Sequence, residues 1–213
     1  DNFGVFVNTG GQILAFNGNL DIIGQGGGKA PASGGVGVMV RFTGRVVATG
    51  SGAITIKGTG GTGVGPSNIG VSLQNTSLIS SDNGKITITG IEGTSSLSNG
   101  IKMSETALVT SDANIELIAN SILIGATASI VNNANNTVTL RQWTNGVAIN
   151  LGPSPDPIGG PLNLSDAELD RVTTGKLVIG NNLSGSITVT DPITRPSQTD
   201  VTLITAGSIN LNA

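Results

Sequence analysis

The chain has 213 residues, among them 33 glycines, four phenylalanines and one tryptophan, and it contains no histidine, cysteine or tyrosine. Only 11% of the residues are charged, and the formal net charge is −3. This composition excludes disulfides, thiolate and imidazole metal ligands, and any catalytic mechanism that needs a histidine or a cysteine. Because the chain has only ten Lys and Arg residues, we expect no nucleic-acid partner. No stretch reaches the roughly 18 to 20 apolar residues of a membrane span, so none is expected.

Three sets of aliphatic residues recur in the same order along the first half of the chain, with a shared period of about 31 residues. The first set is Val5, Val38, Val71 and Ile101, the second is Ile13, Val46, Leu78 and Leu108, and the third is Ile22, Ile56, Ile88 and Leu117. Apolar and polar residues alternate in the runs around them, which is typical of strands with one buried face.

These recurrences predict an all-β fold, a parallel β-solenoid with three short strands per coil and about seven to eight coils. The three sets are predicted to point inward as core ladders, each residue stacked on its equivalent about 4.8 Å away. The glycine-rich segments 24–28 and 58–63 are predicted to be corner loops. The alternative is an antiparallel sandwich, since the Asn-Gly pairs at 17, 83, 99 and 145 are good hairpin turns.

The chain is predicted to form a single solenoid domain over residues 1–213. Residues 1–121 make the long coils, residues 122–145 make a short coil, and residues 177–213 make the final coils. Residues 146–176 are an insertion that contains the proline-rich run 152–157, which suits neither a helix nor a central strand. A short helix is predicted over 166–171 on the side of the solenoid, with Ser165 and Glu168 at capping-box spacing.

No sequence motif indicates catalysis or a cofactor site. The run 58–63 matches the glycine pattern of dinucleotide-binding loops, but no helix pattern follows it, and Gly28-Lys29-Ala30 lacks the Ser or Thr of a phosphate-binding loop. The carboxylates are scattered, and only Asp82 and Asp112 occupy equivalent turns in consecutive coils. Turn capping explains that pair, and a catalytic pair is the alternative. We therefore expect that the chain is not an enzyme and that it binds neither a metal nor a cofactor.

The single tryptophan, Trp143, has two interpretations. It is either a stacking platform for a sugar ring or a packing lid over the core. Thr87 and Thr89 form a Thr-x-Thr pair of the kind that binds crystalline surfaces, but the pair does not recur in adjacent coils.

The late strand runs, such as Gly207-Ser208-Ile209-Asn210-Leu211, resemble the strand repeats of filamentous-haemagglutinin-like proteins. The segment 164–180 is also similar to one that recurs in those large bacterial surface proteins. The resemblance implies a right-handed β-helix, export across the outer membrane and a role in adhesion or surface structure. It brings no catalytic residues, and the export signal would lie outside this chain.

Three functions remain open on the sequence. The first is a non-catalytic adhesive rod of a bacterial surface protein, which presents loops away from the cell. The second is a subunit of an extracellular filament or sheath that stacks head to tail, and the third is a polysaccharide-binding or polysaccharide-cleaving β-helix. The expected partners are neighbouring solenoid repeats or like subunits at both ends, with host or surface glycans as a further class. The chain opens and closes in strand runs, so we expect a segment of a longer rod or a stacking subunit.

Overall fold

The computed structural model describes residues 2–28, 34–65, 67–94, 98–153 and 160–212. These residues form 22 β-strands and one short helix. The strands are β1 (Asn2–Val7), β2 (Gln12–Phe16), β3 (Leu20–Gln25), β4 (Gly35–Val40), β5 (Arg45–Thr49), β6 (Ile54–Thr59), β7 (Val71–Leu73), β8 (Leu78–Ser81), β9 (Ile86–Ile91), β10 (Ile101–Met103), β11 (Leu108–Ser111), β12 (Ile115–Ile118), β13 (Ile122–Ile124), β14 (Ser129–Asn132), β15 (Thr137–Arg141), β16 (Ile149–Leu151), β17 (Leu162–Leu164), β18 (Val172–Thr173), β19 (Lys176–Gly180), β20 (Ile187–Val189), β21 (Asp200–Ile204) and β22 (Ile209–Leu211), and helix α1 is Asp166–Asp170.

The strands stack in four sheets, and every strand pair among the described residues is parallel. Sheet A has the order β1-β4-β7-β10-β13, sheet B β18-β14-β11-β8-β5-β2, sheet C β21-β19-β15-β12-β9-β6-β3, and sheet D β17-β16-β20-β22. From β1 to β15, every successive group of three strands forms one coil, with one strand in each of sheets A, B and C. The prediction of a parallel β-solenoid is therefore confirmed, and the antiparallel sandwich is excluded.

Two of the three predicted sets stack as ladders inside the solenoid. Val5 pairs with Val38, Val38 with Val71 and Val71 with Ile101 in sheet A. The third set pairs in the same way along sheet C, from Ile22 through Ile56 and Ile88 to Leu117. All these residues are fully or almost fully buried except Val5, which is half-buried in the first coil. Burying one such aliphatic side chain stabilises the fold by roughly 1.5–3 kcal/mol, so the ladders supply much of the core energy.

The prediction for Leu78 and Leu108 is wrong by one residue. Val46 pairs with Ile79, and Ile79 leads to Val109, so these residues form the inward ladder of sheet B. Leu78 and Leu108 are half-buried on the outward side of that sheet. Adjacent strand residues face opposite sides, so a shift of one position reverses the side chain. Because Leu78-Ile79 and Leu108-Val109 are both apolar pairs, alternation alone cannot choose between their members.

The glycine-rich segments are partly strands and not simply loops. Gly24, Gly58 and Gly90 lie inside β3, β6 and β9 and stack in one register. We call the corner between a sheet C strand and the following sheet A strand the third corner. Sheets A and C approach each other so closely there that a Cβ atom at any of the three glycines would overlap a backbone carbonyl oxygen. That oxygen belongs to a strand of sheet A or to the residue directly before one. Glycine is therefore required there because two backbones share the space that a side chain would fill.

The order of strands is inverted once along the stack. Strand β16 pairs with β17 on one side and with β20 on the other, although β17 follows β16 in the chain. Strand β17 contacts β13, and β18 and β19 pair with β14 and β15. The chain thus places β16 one coil further along the stack. It then returns, and β17, β18 and β19 complete the coil that lies between β16 and the coil of β13 to β15. Residues 154–157 of the proline-rich run lie outside the described residues.

Helix α1 lies within the stack, whereas the sequence had predicted a position on its side. It connects β17 to β18, and its Leu169 is fully buried in the main core. A single helical turn therefore takes the place of the short hydrogen-bonded turn that links these two strand positions in the other coils, such as the turn closed by the Gly44 N–H and the Arg41 carbonyl.

Candidate functional site

The predicted capping pair forms a buried site at the start of α1. The Glu168 carboxylate, which is only 2% exposed, accepts hydrogen bonds from the Ser165 N–H at 3.0 Å and from the Ser165 hydroxyl at 2.8 Å. Its other oxygen accepts the N–H of Ile124 in β13 at 2.9 Å, and Arg171 donates to the Ile124 carbonyl. The Glu168 and Arg171 side chains thus satisfy the backbone N–H and carbonyl of Ile124, which a neighbouring strand would otherwise do. This arrangement is structural.

A second polar contact ties the loop before β21 to the same helix. Arg195 donates to the carbonyls of Leu169 and Val172, and Asp166 accepts hydrogen bonds from the N–H and hydroxyl of Thr194. Burial lowers the pKa of Arg195, and the nearby aspartates Asp170 and Asp166 partly offset that effect. The loop is therefore held in place by charge-assisted hydrogen bonds.

The acidic residues that the structure describes are mostly scattered over different coils. No group of three or more metal-ligating side chains occurs within the described residues. Asp82 and Asp112 stack in successive turns, and the Asp82 carboxylate accepts the N–H of Gly50 at 3.0 Å, which ties its turn to that of the preceding coil and does not cap its own turn. The glycine run beginning at Gly58 starts inside β6 and does not open a helix. Lys29 and Ala30 of the second glycine motif lie outside the described residues.

The outward side of sheet C carries a charged cluster that links three coils. The Glu116 carboxylate in β12 is bound by Lys85 at 2.5 Å and by Arg141 at 2.7 Å. Burial alone would raise the pKa of Glu116, but the hydrogen bonds and charges of the two cations outweigh it, and the pKa lies below its usual value of 4.5. The cluster is therefore ionised at neutral pH.

Trp143 lies beside this cluster and not over the core. It follows β15 in the third corner, where its backbone N–H donates to Asn120 Oδ1 at 3.1 Å. The Lys57 Nζ atom in β6 is 5.1 Å from the centre of its ring. Their strands are three coils apart, or ~14 Å, so the two side chains must meet across the outward side of β9 and β12. Ile118 faces outward there, and it is nonetheless only 5% exposed. The ring is itself 40% exposed.

A shallow groove of about 300 Å³ runs along the outward side of sheet B. Its lining includes Thr43, Arg45, Thr76, Leu78, Thr106 and Leu108. The two leucines that were predicted to be core residues thus form part of a surface depression. Thr43 and Thr76 have positive φ angles of 63° and 60°, which are strained for β-branched residues.

Both ends of the stack expose residues that belong to the inward ladders. At one end Val5, Ile13 and Leu20 are only partly buried, whereas their equivalents in the next coil are fully buried. At the other end Val201, Ile209 and Leu211 are 44%, 47% and 75% exposed. Strands β1, β2, β3, β21 and β22 are edge strands of their sheets. The apolar interior and unpaired backbone groups are therefore open at both ends of the described stack.

No protein-family model, curated protein sequence or solved structure matches this chain. Among the described residues, no helix is long and apolar enough to cross a membrane.

Proposed function

We propose that this chain is a non-catalytic structural and adhesive rod of a bacterial surface protein, located outside the cell, and that its coils continue into further parallel β-solenoid at both ends. The resemblance of residues 164–180 to filamentous-haemagglutinin-like proteins supports the location. The parallel stack supports the role of a rod, because its described strands pair only with strands of the adjacent coils, along one axis.

The observation that carries this proposal is the exposure of ladder residues at the two ends. Ile187 is fully buried, while its register partner Ile209 in β22 is 47% exposed. One more coil with an aliphatic residue at that position would bury Ile209 as completely as Ile187. An uncovered edge of parallel strands is a template for pairing with another strand of the same kind.

The same observation favours a second candidate, a subunit of an extracellular filament or sheath. In the first case the covering coil belongs to the same polypeptide, and in the second it belongs to another subunit. Electron microscopy of the native material distinguishes them, because a filament of subunits lengthens with protein concentration and a single long chain does not.

The end surfaces can be tested with the chain itself. We expect it to associate in a concentration-dependent manner during size-exclusion chromatography with light scattering, forming particles that lengthen along one axis. The double variant Ile209→Lys/Leu211→Lys places two charges on one end and should stop this association while leaving the melting temperature almost unchanged.

The matched control is Val64→Lys, which replaces another strongly exposed aliphatic residue, 72% exposed, away from the ends of the stack. It should associate as the wild type does. A wild-type chain that stays monomeric at all concentrations, or a double variant that still associates, would overturn the proposal.

A further inference from the structure

Four Asn-Gly pairs begin at positions 17, 83, 99 and 145, and the strands beside them are all parallel, so none of the pairs forms a hairpin. Asn-Gly is also the dipeptide in which asparagine reacts most readily with its own backbone, because glycine has no Cβ atom to shield its nitrogen. From the surroundings of the four pairs we infer that Asn17-Gly18 is a modification site, at which Asn17 deamidates spontaneously to aspartate and isoaspartate. The site is independent of the proposed function, because its chemistry needs only this chain and water.

The reaction has two steps, and neither is a redox step. In the first, the Gly18 backbone nitrogen attacks Asn17 Cγ: the N–Cγ bond forms, the Cγ–Nδ2 bond breaks, and ammonia leaves with the proton that the Gly18 nitrogen gives up. Water then opens the cyclic imide. Attack of water at Cγ gives aspartate with the original backbone. Attack at the Asn17 backbone carbonyl carbon breaks its bond to the Gly18 nitrogen and gives isoaspartate, in which the main chain runs through Cβ and Cγ.

Both reacting groups are unrestrained at Asn17-Gly18. Asn17 is exposed in the turn between β2 and β3. Among the residues that the structure describes, neither its carboxamide nor the Gly18 N–H has a hydrogen-bond partner. The carboxamide lies against Gly50 of the next coil, where its oxygen occupies the space that a side chain at position 50 would fill. No hydrogen bond therefore has to break before the carboxamide turns toward the Gly18 nitrogen.

At two of the other pairs, the attacking nitrogen is held by a hydrogen bond. The Gly84 N–H donates to Ser81 Oγ at 3.0 Å, and the Gly146 N–H donates to the Leu183 carbonyl at 2.8 Å. Each nitrogen must leave its acceptor before it can lose its proton and approach the preceding asparagine. The hydrogen bond therefore protects the pair by its own net free energy.

At the remaining pair, the asparagine side chain is held instead. Asn99 is only 6% exposed, and its Nδ2 atom donates to Ser121 Oγ in the next coil at 2.9 Å. Turning this carboxamide toward the Gly100 nitrogen would leave a buried donor without its acceptor, which costs more than losing an exposed hydrogen bond. Asn99 is therefore protected by burial.

The position of Asn17 in the stack adds to its reactivity. The imide ring closes only when the turn loosens, because Cγ must move from Gly50 onto the Gly18 nitrogen. Strands β2 and β3 are edge strands, whereas β8 and β9, on either side of Asn83, have a neighbour on both sides. A terminal coil opens at a lower free-energy cost than an internal one. The turn at Asn17 therefore loosens more often than the turn at Asn83.

The products change the end of the stack. The Asp82 carboxylate already accepts the N–H of Gly50 at 3.0 Å, so an aspartate at position 17 would bring a second carboxylate against the same glycine. Like charges at such a site repel each other. Isoaspartate also lengthens the turn between β2 and β3. We therefore expect the modified chain to open its first coil more readily than the intact chain.

The test follows all four pairs in one folded protein. The full chain is incubated in mildly alkaline buffer, at a concentration too low for association, and is then digested with trypsin. The pairs fall in the separate peptides 1–29, 58–85, 86–102 and 142–171, so mass spectrometry measures each rate, and enzymatic methylation detects isoaspartate. We expect Asn17 to react at least about fivefold faster than the other three, which is the factor of one net hydrogen bond. In urea the four rates should be similar.

Two variants test the reason for the difference. Gly18→Ala, whose Cβ has no atom closer than 3.9 Å, should suppress the reaction at Asn17 and leave the other rates unchanged. Ser81→Ala removes the acceptor of the Gly84 N–H and should raise the rate at Asn83 about fivefold without affecting Asn17. Circular dichroism checks that both variants are folded.

Three results would refute the inference: Asn83 or Asn145 reacting as fast as Asn17 in the folded chain, Asn17 staying intact in the folded chain while it reacts in urea, or a Ser81→Ala variant with an unchanged rate at Asn83. End-to-end association is measured separately, with unmodified protein at high concentration. Failure of the modification therefore leaves the proposed function standing, and failure of association leaves the modification standing.

Discussion

Gly90 shows most directly how a single residue position is set by its surroundings. It lies inside β9 at the third corner, where a Cβ atom would overlap the Gly100 carbonyl and approach Ile101 Cγ1 at 2.7 Å. Gly24 and Gly58 meet the same obstacle in the coils before it. The closely packed corner therefore depends on the absence of side chains and not on loop flexibility.

Replacing Gly90 with Ala should lower the free energy of unfolding by about 3 kcal/mol, because the overlapping atoms belong to rigid backbone. The matched control is Gly18→Ala, since the nearest atoms to a Cβ there are 3.9 Å away and its φ is not positive. That substitution should change stability by less than about 0.5 kcal/mol. Urea unfolding followed by circular dichroism measures both, and equal values for the two variants would contradict the backbone-contact argument.

The corrected register of sheet B makes a second residue-scale prediction. Ile79 is fully buried in the core, and its neighbour Leu78 lies in the surface groove. Ile79→Ala should therefore cost about 3 kcal/mol of unfolding free energy, and Leu78→Ala about 1 kcal/mol. The same denaturation experiment compares them. If Leu78→Ala proved the more costly, the inward ladder of sheet B would run through Leu78 and not through Ile79.

At the scale of elements, side chains substitute for missing strand contacts. In the coil that contains α1, Glu168 and Arg171 satisfy the N–H and the carbonyl of Ile124 in β13. On the outside of sheet C, Glu116 joins the segment before β9 to β15 through Lys85 and Arg141. Polar side chains thus replace a strand partner beside α1, and on the outside of sheet C they reinforce coils that the ladder hydrogen bonds already join.

The Glu116 cluster predicts a pH dependence of stability. Its carboxyl pKa is lower in the folded chain than the ordinary 4.5, so the cluster stabilises the fold fully above pH 4.5, and this contribution is lost as the pH falls through the folded pKa. At pH 7 the Glu116→Gln variant should be less stable than the wild type by about 1 kcal/mol, a small value because Lys85 is half exposed. The difference should vanish at strongly acidic pH, and a constant difference from pH 7 to acidic pH would contradict it.

At the scale of the whole molecule, the stack behaves as a one-dimensional array. Central strands such as β8 and β12 have a hydrogen-bonded neighbour on each side, whereas β1, β2 and β3 have one on a single side. The stability of each coil is then the sum of its own contacts and those with its immediate neighbours. The inverted order of β16 and β17 adds a link between coils that lie further apart along the chain.

This arrangement predicts graded protection from hydrogen exchange. Amides in β8, β9, β11 and β12 should exchange slowest, and those in β1–β3 and β21–β22 should exchange fastest, because terminal coils open without disturbing the rest. Hydrogen–deuterium exchange followed by mass spectrometry measures the order. Uniform protection along the chain would contradict a stack whose ends are uncovered.

The sequence was sufficient for the architecture and for two of the three ladders. Val71 lies between Gly70 and Ser72, and Ile56 between Thr55 and Lys57, so alternation identifies the inward residue without ambiguity. The second set failed because Leu78 and Leu108 each precede another aliphatic residue. A stricter use of the period would have found the correct ladder, since Val46, Ile79 and Val109 are spaced by the same 33 and 30 residues as Val38, Val71 and Ile101.

Other features were decided only by the folded chain. Trp143 and Lys57 are 86 positions apart in sequence, and they meet because three strand spacings bring their side chains within reach across sheet C. The inversion of β16 and β17 and the burial of α1 likewise depend on which strand edge of the stack each segment pairs with. Local periodicity reports which face of a strand is buried, but which distant segments share a surface is determined by the stacking of whole coils.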